Sequence, residues 1–219
     1  MIFKSFFICN YLLILFVSFY FRGKIQGNKL LNYFIYFLIY SLFTEILGFY
    51  IGVYKRINTF YIYNTWNLVN HFFYLFFFYK LIQNKRKKRA LILISICYLI
   101  FTLITILFFR NFYNQPFINN IIIGSFIIVI AIMFYFMELL NSDVILNLKY
   151  SLFFWISLGI FLFNIGFIPI VVIGEYISFT GVFRYVTYAL NLIMGTCFIL
   201  GLVLSKKEYN KLTLTSLGE

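Results

Sequence analysis

The sequence predicts an all-α membrane protein, a bundle of seven transmembrane helices. Three observations carry that prediction. Apolar residues make up 63% of the 219-residue chain and the mean hydropathy is +0.95. Charged residues are 11%, against roughly 25% in an average globular chain. A soluble fold of this length lacks the polar residues to cover its outside. The apolar runs are also unbroken over helix-length windows, whereas a transmembrane barrel alternates apolar and polar residues with period two.

Taken in order, the spans are expected at 5–21, 30–54, 60–82, 90–109, 117–140, 150–173 and 184–204, within one domain covering 1–219. The first has Lys4 ahead of its apolar run but ends in bulky Phe19, Tyr20 and Phe21. No small-residue cleavage pattern follows, so it is a span and not a signal peptide. Arg22, Lys24 and Lys29 make a short basic loop. The second span contains Glu45, and the turn at 55–59 leads directly into the third. The segment NKRKKR at 84–89 is the most basic of the chain. The fourth span is nearly featureless inside, and Pro116 suits the position just before the fifth. Glu138 lies near the far end of that span and, like Arg184, is expected to snorkel to an interface. A polar turn at 141–149 follows. The sixth span carries Asn164 and a kink-forming Pro169. A loop at 174–183 with Glu175 precedes the seventh span, which carries Asn191. A tail at 205–219 leaves no room for a soluble output domain.

The net charge of +12 does not point to nucleic acid, because the basic residues sit in short clusters between apolar runs. That placement is the positive-inside pattern. With the N-terminus outside, inner segments hold Arg22, Lys24, Lys29, Lys80, Lys85, Arg86, Lys87, Lys88, Arg89, Lys149, Lys206, Lys207 and Lys211. Outer segments hold only Lys4, Lys55, Arg56, Arg110 and Arg184. The tail is therefore expected in the cytoplasm. Abundant Phe and Tyr with scarce Ala reflect an AT-rich genome, which suggests a bacterial inner membrane. Lys85, Arg86, Lys87, Lys88 and Arg89 set topology and could also hold anionic lipid.

The unusual polar groups gather in the third span, FYIYNTWNLVNHFFYLFFFYKLI. Asn64, Asn67, His71 and Tyr74 fall at i, i+3, i+7 and i+10, a continuous helical stripe, with Asn70 beside it. Amides and an imidazole facing lipid would cost several kcal/mol, so the stripe must face protein or a wet cavity. At about 1.5 Å per residue, Glu45, His71 and Asn164 lie roughly 14–16 Å below the outer end and Asn191 roughly 10 Å. Glu45, Asn64, Asn67, Asn70, His71, Asn164 and Asn191 form the candidate ligand-binding set. The asparagines individually also serve as interhelical glue. An ionisable group such as Glu45 at this depth is a functional-site hypothesis by default. Thr44, Gly48 and Gly52 make a small-residue seam for a neighbouring backbone, which would bring Glu45 into direct or water-bridged contact with His71. Trp66 and Trp155 fit interfacial anchoring.

Several chemistries are set aside. A single histidine excludes multi-histidine metal sites, and with no lysine in the seventh span a retinal Schiff base of the rhodopsin kind is not supported. No nucleophile–base–acid arrangement or phosphate-binding glycine loop stands out. Cys9, Cys97 and Cys197 lie singly in apolar runs, as small buried hydrophobes. Neither enzyme activity, metal nor cofactor is expected.

The first three and last three spans can be laid over each other as a 3+1+3 parallel repeat, as in small sugar facilitators. FYF at 19–21 then faces FYF at 134–136, Glu45 faces Asn164, and Asn67 faces Asn191. The gaps differ between segments, and matches come cheaply in a Phe-rich chain. The helix-two Glu45 and the helix-three Asn67-x-x-Asn70-His71 give the whole chain a layout that resembles small stand-alone seven-helix bacterial membrane proteins. That resemblance implies a fold and no activity. The motifs of the three-plus-one-plus-three vitamin and sugar transporters are absent. The expected function is binding of a small solute or proton in the outer polar layer, transporter-like. Two alternatives stand beside it: a non-catalytic sensor or receptor subunit acting through a partner, and an oligomeric membrane effector or pore component.

Overall fold

The computed structural model describes residues 2–108, 112–176 and 182–210. All regular structure among them is helical: α1 (Ile2–Tyr20), α2 (Arg22–Ile25), α3 (Lys29–Phe49), α4 (Phe60–Leu81), α5 (Lys85–Phe108), α6 (Ile118–Leu140), α7 (Leu152–Tyr176) and α8 (Val182–Leu204). Arg110, Lys211, residues 177–181 and those beyond 210 lie outside the described residues, as do the side chains of Lys4 and Glu175.

Among the described residues, five ranges are long and apolar enough to cross a membrane: Lys29–Tyr54, Lys85–Phe108, Ile118–Leu140, Leu152–Gly174 and Phe183–Leu204. The chain is therefore compatible with a multi-pass membrane protein. α4 has the length, but its asparagines and His71 dilute its apolar character. The apolar stretch of α1, Ser5–Tyr20, is shorter.

Local chemistry sets the helix ends. Gly27 takes a left-handed φ of 99°, a conformation that costs glycine nothing. Asn28 then caps α3, its side-chain oxygen accepting from the Leu30 and Leu31 amides at 3.0 and 3.3 Å. The basic loop after the first span holds a helical turn, α2. The second span does reach Tyr54, but its last turn, Tyr50–Tyr54, is π-helical. The chain then turns through Arg56, the one described non-glycine residue with positive φ, at 52°. Asn84 caps α5 by accepting from the Arg86 and Lys87 amides. NKRKKR is thus the start of a helix and not an interhelical loop, because its first residue is a strong N-cap. The polar turn before α7 is a 3₁₀ run, Asp143–Tyr150, broken at Asn147.

α7 packs on α8 most extensively, α6 lies between α4 and α7, and α1 lies between α3 and α8. α5 stands at the edge against α4 and α6, with Leu93 and Leu107 pointing outward. Phe37 of α3 stacks on Phe73 of α4 with centroids 4.1 Å apart, and Phe34 meets Phe198 of α8 edge-on at 5.2 Å. Phe77, Phe78, Ile128, Ala131, Ile132 and Phe153 are fully enclosed. These residues come from the C-terminal halves of α4 and α6 and the start of α7. The closed apolar core therefore occupies one half of the bundle, and the intrahelical polar groups lie mainly in the other.

Candidate functional site

Glu45 is half-buried on α3, with Ser41 one turn before it and Gly48 one turn after. Gly48 does not admit a backbone, as the seam pattern suggested. It admits the ring of Tyr63 from α4: a β-carbon there would lie 2.6 Å from the tyrosine oxygen. The ring lies in that gap, and its hydroxyl donates to Glu45 Oε2 at 3.4 Å. Ser41 is fully buried and its Oγ accepts the Trp66 indole N–H at 3.1 Å. Trp66 thus points into the bundle and is not an interfacial anchor. Tyr11 of α1 interacts with Ser41 and lies within electrostatic reach of Glu45. Tyr188 of α8 lies within reach of both Glu45 and Arg184. Beside it, the Asn10 amide of α1 donates to the Asn191 carbonyl at 3.2 Å. α1, α4 and α8 thus each bring a tyrosine within reach of one carboxylate on α3.

His71 belongs to a different cluster. It is 2% exposed, and its Nδ1 lies 2.9 Å from the Tyr98 hydroxyl of α5. Its ring lies so close to Gly124 of α6 that a β-carbon there would sit 2.5 Å from Nδ1. The Tyr98 hydroxyl is also 3.3 Å from the Asn120 carbonyl, and the Asn120 amide donates to Thr102 Oγ1 at 3.0 Å. The expected contact between Glu45 and His71 is therefore replaced by two separate sets of partners. Residues 63 and 71 differ by about 80° around α4 at 3.6 residues per turn. One faces α3 and the other faces α5 and α6. Tyr98 and Thr102 are the polar residues that the supposedly featureless span conceals. Ser95, Tyr98 and Thr102 at i, i+3 and i+7 are the pattern that marks them.

The remaining candidates divide by partner. Asn64 holds the turn before α6: its amide donates to the carbonyls of Phe112 and Gln115 at 2.7 and 2.8 Å, and its oxygen accepts from the Phe117 amide at 3.0 Å. Both amide hydrogens and one lone pair of this buried side chain are thus spent on holding the turn. Asn164 and Asn191 donate back to the Ile160 and Thr187 carbonyls of their own helices. Asn67 and Asn70 are half-buried and make no hydrogen bond among the described residues. The expected single layer is thus one cluster at Glu45, a second at His71, and separate structural asparagines.

Two further polar sites escaped the sequence reading. Glu138 does not snorkel. Its carboxylate accepts from the Gln83 and Asn84 amides at 2.7 and 3.1 Å and lies 3.9 Å from the Lys87 amine. Lys87 also donates to the Phe134 carbonyl. At the same end of the bundle, Asn210 accepts from the Leu152 amide at 2.9 Å and donates to the Lys24 carbonyl, while Asn28 donates to the Asn210 carbonyl. The Lys24 amine caps α8 through the Leu202 and Val203 carbonyls at 2.9 and 2.6 Å. Partial burial holds this amine below the usual lysine range. Trp155 donates to the Lys149 carbonyl, at the end where anchoring is expected. Cys9 and Cys97 are exposed on helix surfaces, and only Cys197 is buried as expected.

No group of three or more His, Cys, Asp or Glu side chains that could hold a metal occurs among the described residues. Comparison of the chain with protein-family models, curated proteins and solved structures finds no match.

Proposed function

We propose that the chain is a seven-span membrane protein, Met1 outside and Glu219 cytoplasmic, that binds a small solute or proton at Glu45 in a transporter-like way. The observation that carries this is a carboxylate set inside a membrane-length helix, half-buried, with Tyr63 bonded to it and Tyr11 and Tyr188 in reach. An ionisable side chain at that depth is expensive to keep, and a merely structural role is filled more cheaply by an amide. The half of the bundle beyond it is closed by aromatic core, which suits a site open to one side at a time. His71, with its ring enclosed by Tyr98 and Gly124, takes a structural role beside the site and not within it. The same helix order permits the 3+1+3 repeat.

Purified protein reconstituted into liposomes with an entrapped pH dye tests the reading. Under an imposed potential, wild type is expected to carry protons or to shift melting temperature with one member of a solute panel. Glu45→Gln is expected to abolish that response while melting within a few degrees of wild type. An unchanged response in Glu45→Gln assigns the carboxylate to folding alone.

A further inference from the structure

The groove between α4 and α5 has the form of a lipid site. It measures about 380 Å³, and Phe72, Phe76, Tyr79, Leu91, Ile92 and Ile96 are among its walls. Of its two hydroxyl-bearing residues, Ser95 spends its hydroxyl on the Leu91 carbonyl of its own helix, and Tyr79 stands at one end. The slot is therefore apolar along its length, from Tyr79 at the end near NKRKKR to Phe72 near mid-helix. Two amines hang over its aromatic walls at that end. Lys88 Nζ lies 5.5 Å from the Tyr79 ring centre, and Lys80 Nζ lies 5.6 Å from Phe76 and 6.0 Å from Tyr79. These are cation–π distances that hold both charges at the mouth.

The other basic residues of the tract are placed differently. Lys87 turns toward Glu138 and the Phe134 carbonyl, and Lys85, Arg86 and Arg89 are exposed. Only Lys80 and Lys88 combine positive charge with the groove. We infer that this groove binds an acidic phospholipid, its headgroup phosphate on Lys80 and Lys88 and an acyl chain in the aromatic slot. Charge complementarity selects the headgroup, and the slot runs along the helices as an acyl chain does. The inference rests on the chain lying in a bilayer and is independent of any role for Glu45.

Native mass spectrometry of the detergent-purified chain, with phosphatidylglycerol or phosphatidylcholine added, tests it. Wild type is expected to retain phosphatidylglycerol in preference to phosphatidylcholine. Loss of both groove amines in Lys80→Gln/Lys88→Gln is expected to cut that retention tenfold or more, each lysine beside an anionic headgroup contributing roughly fivefold. Lys85→Gln/Arg89→Gln removes the same charge away from the rings and is expected to cost less than threefold. Ser95→Trp, which fills the slot, is expected to lower retention with all amines in place. Equal retention of the two lipids, or equal losses in the two double variants, would overturn the proposal. So would a dimer that Ser95→Trp abolishes while no lipid is bound, since a second copy would then be the occupant.

Discussion

Gly124 and His71 meet at a distance that only glycine allows, so one residue on α6 decides how closely α4 can approach. Gly124→Ala is expected to destabilise the chain by about 1–3 kcal/mol, the cost of forcing extra volume into a packed site. The penalty should largely vanish in a His71→Ala background, because the atoms in conflict are gone. A thermal-melt double-mutant cycle measures this, and additive losses would show that the ring is not what limits Gly124. Tyr98→Phe removes one hydroxyl from the same cluster. Its expected cost is about 0.6 kcal/mol, the average for interhelical hydrogen bonds in membranes. The polar character of these residues was legible from their letters. Their partners were not, because a side chain at a given depth can face any of several neighbours.

At the scale of elements, two carboxyl or amide side chains act as fasteners between segments. Glu138 of α6 binds the amides that open the α4–α5 connection, beside a helix start crowded with positive charge. Basic residues in a first turn oppose the helix dipole, and Glu138 offsets part of that. Glu138→Ala is expected to cost about 1–2 kcal/mol and to raise amide exchange at residues 83–87. Exchange unchanged there would remove the capping role. Asn64 fastens the 112–117 turn in the same manner, and Asn64→Leu is expected to make that turn the first site of proteolysis. The helices themselves were readable, since periodic apolar runs and the Pro116 boundary are local signals. The start of the fourth span was displaced because a basic tract resembles a loop, whereas the Asn84 cap begins a helix there.

For the whole molecule, the distribution of charge argues one orientation. Lys80, Lys85, Arg86, Lys87, Lys88, Arg89, Lys149, Lys206 and Lys207 gather at the end that holds the closed core. Lys55, Arg56 and Arg184 lie at the other. In a variant stripped of native cysteines, a cysteine at position 57 is expected to label from outside and one at 87 from inside. Labelling of both from the same face would reverse or break the proposed topology.

Composition and periodicity by themselves determined the all-helical class and five of the seven expected membrane-length ranges, and they singled out Glu45 as a candidate. These follow from the cost of exposing polar groups to lipid, which acts on each segment independently of its neighbours. Only the tertiary structure decided which groups share a site. Tyr11, Tyr63 and Tyr188 reach Glu45 from three other helices, while His71, matched to it in estimated depth, turns toward α5 and α6. Depth is set by position along a helix, but rotation about the axis is set by packing. In this chain packing turns on where a glycine lets a ring through, at Gly48 for Tyr63 and at Gly124 for His71.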